Sequence, residues 1–571
     1  MSATATTLAA AVGLPFLSAC AAPAPQGAPA PQGAASATPQ PAGQPTPASQ
    51  PKSGAFPSYV PLSGGPAPDY HSTDGRVVDS FEHYPKNPTP SWTKPAPGSG
   101  GTVNVFVVAY YPLPTPYEQN PTWHEVIKQL NANVQMNMVI SADYPAKMAT
   151  VMSSNDLPDI IHIYGGVPFS VVPSLPEFFQ AKCADLTPYL AGDAIKDYPN
   201  LAAIPTYAWK NSLCVIDGTL YQWPIHRYLP GVNYFFKNTD IYDNVIGADY
   251  VPKDADDFKK VLQELNRPAS NQWAIGDTAG NPRYLGVLGY AQMFGAPNVW
   301  GKDDHGNLVR DRETEAYKAA VGYLRDVWAA GLMWPNSPSA AQSRPDFAAG
   351  HFALSVEGFG NSWNDFWRQG LQQQPPQHFD LLKPFRATAG DPPISYLTGG
   401  YISTNVMKKA DPERIKELLR IVDWLAAPFG SQEDLLLSYG LPGTDYSIDS
   451  NGDPTLTPDG VSHAGYVPWR YISQHPYVQY QADLPGYTQR SYQAEQLLVA
   501  EGVEDVTLGY YSKTNSASAG RKADQVFLDG LQDIILGRRP FSDYDQLVSD
   551  WRSTAGDQIR HEFQTAMAAG S

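Results

Sequence analysis

The run VNVFVVA at residues 103–109 decides the fold. A run that is apolar apart from one Asn is typical of a strand that is covered on both faces of a sheet. After it, a capping-box pattern at 122–125 predicts a helix, and alternating apolar residues predict a second strand over 134–140. A helix over 144–153 and a third buried strand over 159–164 complete a β-α-β-α-β order. That order predicts an α/β fold with a parallel, doubly wound sheet.

The carboxyl ends of these strands are the expected binding edge. In open α/β sheets a ligand binds outside the carboxyl ends of the strands. Tyr110 and Tyr111 follow the first strand, and Tyr164 ends the third. The sequence therefore predicts that these three tyrosines contact a ligand.

A second set of strands and helices follows. Asp217-Gly218 predicts a tight hairpin over 213–223. Asp254 is placed to cap a helix, and a long amphipathic helix over 314–330 ends before Gly331. The remaining predictions are strands over 232–236, 352–356 and 394–403, and helices from Asp411, over 521–536 and over 543–567.

The composition excludes several classes of protein. The chain has 571 residues, enough for two or three folded units with ample core. Its formal net charge is −17, and both nucleic acid and anionic lipid select clustered Lys and Arg instead. The chain has three cysteines and lacks an apolar run of about 20 residues, so neither a disulfide-built scaffold nor a polytopic membrane protein fits.

The N-terminal residues indicate export. Residues 8–19 are apolar or small, about the length of a signal-peptide core, and they lead into Cys20. This stretch resembles a bacterial lipobox, in which the chain is cut before the cysteine and the cysteine is lipidated. Residues 21–55 are rich in Pro, Ala, Gly and Gln, which favours a semi-extended tether. We therefore expect a signal peptide over 1–20, a tether and extended arm over 21–100, and a lipid anchor on the extracytoplasmic face of the cell membrane.

Cys183 and Cys214 are the other two cysteines. An exported protein folds in an oxidising compartment, where a disulfide between them is plausible. The alternative is two buried free thiols. We expect the disulfide.

The known catalytic and metal-binding motifs that we sought are absent from the sequence. H-E-x-x-H, C-x-x-C, G-x-S-x-G and G-x-G-x-x-G do not occur. Residues 449–453 (DSNGD) begin like a calcium loop, but Pro454 stands where that loop requires Gly, so a turn between strands is expected. Carboxylates are numerous, so a pair that hydrolyses glycosides is the alternative. We expect no catalytic residue, no metal and no cofactor.

Aromatic residues at strand and loop ends are the positive signal. Their flat faces suit the C–H faces of a pyranose ring, and neighbouring polar side chains can bind its hydroxyls. The alternative for each is ordinary packing, because Tyr and Trp are common at half-buried positions. The groups are Tyr110-Tyr111, Trp223 with Arg227, Phe359 with Trp363, and Tyr396 with Tyr401.

Several segments, in this order along the chain, carry a family resemblance. The chain resembles the extracellular solute-binding proteins of bacterial ABC importers, in particular the family 1 sugar-binding lipoproteins. The segment LPDII at 157–161 is similar to the family motif in a strand of the first lobe. The segment DGTLYQWP at 217–224 is similar to the family's hairpin motif. The segment FAAGHFALSVEG at 347–358 is similar to another motif, after which members place an aromatic residue against the sugar. Further similar segments lie at 252–258, 440–443 and 537–541.

The resemblance implies a two-lobed periplasmic-binding-protein-like fold of type II, with lobes joined by crossing hinge segments. We place the crossings near 231–237, 398–404 and 440–445. The N-terminal lobe is then expected over 101–233 plus 404–442, and the C-terminal lobe over 234–403 plus 443–571. Glycines near the second and third crossings suit hinge closure.

The resemblance also implies capture of a carbohydrate, an oligosaccharide, in the interlobe cleft of a monomer and its delivery to ABC permease subunits, with no bond broken. The expected ligand-binding residues are Tyr110, Tyr111, Tyr164, Trp223, Arg227, Glu357, Phe359, Trp363 and Tyr401. A low charged fraction of 17% beside 12% aromatics fits a neutral polyol. The alternatives are an exported glycan-cleaving enzyme and a receptor-like binding protein that serves no transporter.

Overall fold

Two β-sheets with surrounding helices organise the body of the chain. The computed structural model describes residues 56–62, 64–166, 172–231, 233–277, 286–338 and 344–570. The predicted signal peptide, Cys20 and most of the tether lie outside these residues.

The strands of the described residues are β1 (Ser80–Phe81), β2 (Thr102–Ala109), β3 (Asn133–Ile140), β4 (Ile160–Tyr164), β5 (Val215–Ile216), β6 (Thr219–Leu220), β7 (Gln222–His226), β8 (Tyr234–Asn238), β9 (Trp273–Asp277), β10 (Trp300–Lys302), β11 (Leu308–Arg310), β12 (Phe352–Glu357), β13 (Phe379–Leu381), β14 (Ser395–Tyr396), β15 (Tyr401–Met407), β16 (Tyr446–Ile448), β17 (Pro454–Leu456), β18 (Gln479–Tyr480) and β19 (Gly502–Val503).

The helices are α1 (Pro121–Leu130), α2 (Tyr144–Ser153), α3 (Leu175–Lys182), α4 (Thr187–Leu190), α5 (Pro199–Ala202), α6 (Thr206–Asn211), α7 (Thr239–Val245), α8 (Ala255–Leu265), α9 (Val287–Phe294), α10 (Glu315–Ala329), α11 (Arg344–Ala348), α12 (Asn361–Leu371), α13 (Pro412–Leu425), α14 (Gln432–Tyr439), α15 (Pro458–Gly460), α16 (Trp469–Ile472), α17 (Tyr487–Ala500), α18 (Lys513–Ser516), α19 (Ser518–Ile535), α20 (Tyr544–Trp551) and α21 (Asp557–Gly570).

The first lobe is built on a sheet with strand order β3-β2-β4-β15-β7. β2 pairs in parallel with β3 and β4, as the β-α-β-α-β pattern predicts. β15 is antiparallel to β4 and β7. Val105 and Val107 of β2 pack into one core, whereas Phe106 and Val108 pack into a second core on the other face. The apolar run of β2 from Val105 onwards therefore reflects burial on both faces of the sheet.

Asp159 gives the LPDII segment its place in this sheet. Its buried side chain accepts a hydrogen bond of 2.8 Å from the Asn104 N–H at the start of β2. Lys408 and Arg414 lie 3.3 and 3.4 Å from the same carboxylate. One buried carboxylate thus joins β2, the segment before β4 and helix α13, and two cations offset its charge.

The second lobe is built on a mixed sheet with strand order β13-β8-β12-β9. β12 pairs in parallel with β9 and antiparallel with β8. A large core covers one face, and it takes side chains from helices α8, α10, α19 and α20. An aromatic-rich core covers the other face. The two-lobed α/β fold that the sequence predicts is confirmed.

Three of the predicted turns and helix ends are confirmed, and one predicted helix cap is wrong. Asp217 and Gly218 have positive φ angles of 49° and 79° and form the two-residue loop between β5 and β6. Asp254 caps α8 by accepting the Asp257 N–H, and α10 ends before Gly331. The capping box at Thr122 is wrong: Asn120 caps α1 by accepting the Trp123 N–H at 2.9 Å. Thr122 lies inside that helix and donates its hydroxyl to Asp445.

Three crossings join the lobes, and the first two pair with each other. The first runs from β7 to β8, and the second from β14 to β15. Pro230 bridges Leu397, and the Arg227 N–H donates to the Gly400 carbonyl at 2.9 Å. The lobe boundaries that the sequence predicts near 231–237 and 398–404 stay a prediction.

The third crossing lies later than predicted. Val467, Trp469 and Ile472 still pack into the core of the first lobe. Further along the chain, Leu484 and Tyr487 pack into a core of the second lobe. The chain therefore crosses between Ile472 and Tyr487 and not near 440–445, so residues 443–472 pack with the first lobe.

An extended arm over residues 56–100 packs along both lobes. In the first lobe, Ser91 and Trp92 donate to the Glu433 carboxylate, and Ser99 donates to Glu417. In the second lobe, the Val78 N–H donates to Glu495 at 3.2 Å. β1 of the arm pairs in parallel with β18 of the third crossing. The expected extended arm is thus an ordered part of the fold.

The predicted disulfide is wrong. Cys183 and Cys214 are buried free thiols. They pack into the two cores on opposite faces of the first sheet, because Cys183 lies among Phe106 and Val108 and Cys214 among Val105 and Val107. Burial raises the pKa of each thiol to about 12, so neither carries appreciable thiolate at neutral pH.

Two further features are absent from the part of the chain that the structure describes. No helix there is both long and apolar enough to cross a bilayer. No group of three or more His, Cys, Asp or Glu side chains there could hold a metal ion. The calcium-like segment is a turn between β16 and β17, in which Asp449 accepts the N–H groups of Asn451 and Asp453.

Candidate functional site

A cavity of about 530 Å³ lies beside the carboxyl end of β2. Its volume falls within the range of small-molecule binding sites. The first lobe and the third crossing form most of its wall, and Tyr84 of the arm completes it. Tyr110 and Tyr111 line the cavity. The residues that follow β2, where ligands of open α/β sheets bind, therefore lie at a concave surface.

Tyr111 presents an open aromatic face at this cavity. Its side chain is 51% exposed. It stacks against Tyr466, with ring centroids 6.0 Å apart and planes inclined by 15°. Tyr110 lies deeper, against Tyr471 at 4.3 Å. The cavity therefore has a stacked pair at its mouth and a second tyrosine pair below it.

Sequence reasoning missed most of the cavity wall. Residues 466–480 contain five aromatic side chains in 15 positions, and all five line the cavity. That local density is a signal that the sequence offers. The five residues are Tyr466, Trp469, Tyr471, Tyr477 and Tyr480.

Arg227 lies where the three crossings meet. It follows β7, and its side chain is buried. Its Nη1 donates to the His226 carbonyl and to Gln474 Oε1 on the third crossing, each at 2.7 Å. Its guanidinium lies over the Tyr477 ring, 5.1 Å from the centroid. The sequence grouped Arg227 with Trp223, whereas in the structure Arg227 contacts residues of the third crossing.

Several buried polar atoms around the cavity floor lack a hydrogen-bond partner among the described residues. The Tyr110 hydroxyl and Ser473 Oγ belong to residues that line the cavity itself. Such atoms are costly to bury unless water or a ligand satisfies them. The others nearby are both ring nitrogens of His162, Ser403 Oγ, Asn405 Oδ1 and Arg227 Nε.

His162 is a neutral member of this group. Burial lowers its pKa to about 3, so the imidazole is uncharged at neutral pH. Its ring lies 6.3 Å from Tyr110 and 6.1 Å from Tyr471, edge to face. His162 is therefore an uncharged ring that packs against Tyr110 and Tyr471, two residues of the cavity wall.

Tyr164 and Tyr401, two of the expected ligand-binding residues, are not among the residues that line the cavity. Tyr164 lies 5.7 Å from Tyr110, ring centroid to ring centroid. Tyr401 is buried against Gly166 and Gly399. A Cβ on Gly166 would lie 2.7 Å from the Tyr401 ring, and its φ of +70° also favours glycine. These glycines make room for the ring at the second crossing.

Trp223 is a core residue, contrary to the prediction. It is fully buried on β7, and its indole N–H donates to the Ile472 carbonyl at 3.0 Å. Because both its faces and its one donor are occupied by protein, it offers no surface to a ligand.

Phe359 and Trp363 are also core residues, contrary to the prediction. Trp363 is fully buried, 5.3 Å from Phe236 and 5.4 Å from Tyr487. Phe359 packs 6.0 Å from Trp363 and 5.1 Å from Tyr228. Together they form a closed aromatic cluster under β8 and α12 of the second lobe.

Glu357 ends β12 in a buried ion pair, so the prediction that it contacts a ligand is not supported by its environment. Arg344 Nε donates to its carboxylate at 2.9 Å, and the Gly358 N–H donates at 2.6 Å. Arg344 also donates to Ser362 Oγ at 2.9 Å and lies 3.5 Å from Asp365. Burial raises the pKa of Asp365.

A second ion pair joins the second lobe to the third crossing. Arg368 of α12 donates to Asp483 at 2.7 Å and to Gln481 at 3.3 Å. Asp483 and Gln481 also line the cavity. The cavity therefore reaches the edge of the second lobe.

Comparison with known proteins identifies relatives along most of the chain. A family model described as bacterial extracellular solute-binding protein matches residues 124–454. Lipoprotein LipO of Bacillus subtilis is 22% identical over 483 residues, which is 81% of this chain and 92% of that protein. The polygalacturonan/rhamnogalacturonan-binding protein YtcQ of the same organism is 22% identical over 476 residues, covering 79% and 89%.

Solved structures share the fold at low identity. A solute-binding protein of Bifidobacterium longum infantis, described as HMO-binding and ABC-transporter-associated, superposes with a TM-score of 0.61 at 13% identity. The match covers 83% of this chain and 100% of that one. The N-glycan transport solute-binding protein NgtS of Streptococcus pneumoniae gives a TM-score of 0.57 at 14% identity, covering 82% and 99%.

Proposed function

Since the chain belongs to the bacterial extracellular solute-binding proteins, we propose that it captures an oligosaccharide in the cavity at the carboxyl end of β2 and delivers it to the permease of an ABC importer. The relatives support this proposal through what their names say they bind: polygalacturonan and rhamnogalacturonan for YtcQ, and N-glycans for NgtS.

The stacked pair of Tyr111 and Tyr466 is the observation that carries the proposal. Sugar rings have apolar C–H faces and a polar edge of hydroxyls. A half-exposed aromatic face beside the unpartnered hydroxyls of Tyr110 and Ser473 matches both parts of a sugar. Desolvating these hydroxyls is favourable only if a ligand supplies hydrogen bonds in return.

Closure of the lobes completes the proposed cycle. The first two crossings pair closely, and Arg227 ties them to the third, so the three segments form one hinge beside the cavity. A ligand that contacts both lobes biases the open–closed equilibrium by its differential affinity for the closed form. The closed form then docks on the permease as a monomer, and no bond of the ligand is broken.

Binding to a panel of oligosaccharides tests the proposal by calorimetry. We expect at least one neutral or acidic oligosaccharide to bind, and Tyr111→Ala to weaken that binding about tenfold. Tyr59→Ala is the matched control, because Tyr59 is 49% exposed and lies on the arm away from the cavity wall. If no oligosaccharide binds, or if both variants weaken binding equally, the proposed site is wrong.

We also propose that Cys20 carries a lipid that holds the protein on the extracytoplasmic face of the cell membrane. The sequence before Cys20 and the name of the relative LipO support this. Cys20→Ala is expected to move the protein from the membrane fraction to the soluble fraction. Unchanged membrane association of that variant contradicts the anchor.

A further inference from the structure

The extended arm is fixed to the first lobe near both of its ends. At its start, the Val60 N–H donates to the Ala202 carbonyl at 2.8 Å. Further along, the Tyr84 N–H donates to Asp453 at 2.7 Å and the Tyr84 hydroxyl donates to Asp434 at 2.8 Å. Both carboxylates belong to segments that pack with the first lobe, so the arm leaves this lobe and returns to it.

Between these two attachments the arm passes onto the second lobe. The Val78 N–H donates to Glu495 of α17 at 3.2 Å. Tyr70 stacks on Tyr492 of the same helix, with ring centroids 5.3 Å apart. Helix α17 also packs into the aromatic-rich core of the second lobe. We call residues 69–82, which make these contacts, the clasp.

Val77 places the clasp against the hinge. Its buried side chain shares a small apolar cluster with Leu229 of the first crossing, Leu397 of the second crossing and Val499 of α17. In the same stretch of chain, β1 pairs in parallel with β18 of the third crossing. The clasp therefore contacts all three crossings as well as the second lobe.

Glu495 makes this junction stiff. Its carboxyl group is fully buried and accepts both the Val78 N–H and Gln479 Nε2, the latter at 2.7 Å. A buried acceptor that loses its donor is costly, because no water replaces the lost bond. Since the clasp is held to the first lobe, a rotation of α17 away from that lobe would stretch or break the bond from Val78.

We propose that the clasp is a fourth segment of the hinge, which limits the rotation of the two lobes about the three crossings. A segment that is fixed to one lobe on both sides and bonded to the other lobe at its middle resists relative movement of the two. Hinge closure depends on a few residues that absorb the change in backbone angles, and here the clasp must follow each such change. The proposal concerns the hinge and holds whatever ligand the cavity takes.

The clasp also links the hinge to the cavity. Soon after β1 the arm reaches Tyr84, which lines the cavity. Tyr480 of β18, the partner strand of β1, lines the cavity as well. Its hydroxyl donates at 2.9 Å to Asp453, the same carboxylate that accepts the Tyr84 N–H. A shift of the clasp therefore reaches two side chains of the cavity wall.

Interlobe distances measured by double electron–electron resonance test the clasp without any ligand. Spin labels on Lys147→Cys of α2 and Lys260→Cys of α8 place one label on each lobe, and both lysines are exposed. Cys183 and Cys214 are buried and do not compete for the label. With the clasp intact, we expect a single narrow distribution of distances.

Val77→Asp is expected to release the clasp, because it puts a charge into the apolar cluster. We expect the distance distribution to become about twofold broader, as the lobes rotate more freely. Val60→Asp is the matched control, because Val60 belongs to the same arm but packs against the core of the first lobe. It should leave the width of the distribution unchanged.

Cleavage after folding provides a second test. A site for a sequence-specific protease, inserted between Asp74 and Gly75, lies in an exposed turn of the clasp. The control is the same insertion between His305 and Gly306, in the exposed turn that joins β10 and β11. Cutting the clasp leaves each half fixed at one end only, so the distribution should broaden after the first cut and not after the second. If Val77→Asp fails to fold, the cut protein decides the question, because it has folded before the cut.

The possible results distinguish the clasp from a general effect of the arm. An unchanged width after cleavage of the clasp overturns the proposal. Equal broadening by Val60→Asp, or by cleavage of the control turn, also overturns it, because the effect would then not depend on the clasp. None of these measurements uses a saccharide, so failure of oligosaccharide capture and failure of the clasp are told apart.

Discussion

Two aromatic clusters of this protein look alike in sequence and differ in what surrounds them. The cluster of Tyr111 and Tyr466 in the first lobe lines a cavity, and buried polar atoms without partners lie beneath it. The cluster of Phe359 and Trp363 in the second lobe is closed, and aromatic rings surround it. Aromatic content therefore does not distinguish a binding surface from a core, whereas a half-exposed ring beside a cavity does.

The closed cluster gives the largest expected effect. Trp363→Ala removes a fully buried ring whose indole N–H has no hydrogen-bond partner among the described residues, so the whole loss is packing. We expect the free energy of unfolding to fall by about 3–5 kcal/mol in urea titrations. Tyr111→Ala should cost less than about 1 kcal/mol, because that ring is half exposed. Similar losses in the two variants would abolish the distinction between the clusters.

Helix α17 joins the closed cluster to the third crossing and supplies the second prediction. Its first residue, Tyr487, packs on Trp363, while Glu495 accepts from Gln479 of the third crossing at 2.7 Å. Burial raises the pKa of Glu495 to about 8, above its ordinary value near 4.5. Between these values the unfolded carboxyl is ionised and the folded one is not, so stability falls as pH rises.

Glu495→Gln keeps a neutral partner for Gln479 and should flatten this pH dependence. The expected change is on the order of 3 kcal/mol less stability lost between pH 5 and pH 8, measured by urea unfolding at both pH values. Burial also raises the pKa of Asp423 to about 7, so a smaller slope remains. Glu504→Gln, at an exposed residue, is the control and should keep the full slope. An unchanged slope in Glu495→Gln refutes the assignment.

A double-mutant cycle on Tyr111 and Tyr466 measures the stacked pair itself. Exposed stacked rings are expected to couple by about 0.5 kcal/mol in stability. The same cycle on ligand affinity should give a larger coupling if one sugar contacts both rings. Additive effects on affinity would mean that the two rings bind separate parts of the ligand or none.

The smallest effect concerns the two thiols. Reducing agent should leave the melting temperature unchanged, because Cys183 and Cys214 are separate in the fold. Alkylation of the native protein should be slow at pH 7 and should reach both cysteines once urea unfolds the chain. A mass spectrum that shows a bond between them would contradict the opposite-face packing.

The elements that local chemistry determines were predictable. The run at 103–109, the Asp217-Gly218 turn and the cap at Asp254 each depend on residues close in sequence, and each is confirmed. Arg227 was singled out from the sequence, but its partner Gln474 was not, because the two residues are 247 positions apart. Contacts at such separations leave no periodic signal in one sequence.

The errors have a common physical origin. Trp363, Phe366 and Trp367 recur at helical spacing on α12, which is the pattern of a buried stripe, yet their aromatic character favoured a sugar contact. The third crossing was misplaced because residues 443–472 form short elements, and their pattern shows burial without showing which sheet buries them. Both errors concern long-range packing partners.

The start of the arm has a mechanical consequence. Pro57 bridges Gly192, and the Val60 N–H donates to the Ala202 carbonyl, so the arm enters the body on the first lobe. If the chain is held at Cys20, a pull on the tether is taken up by these contacts before it reaches the hinge. The load then falls first on the lobe that carries most of the cavity wall.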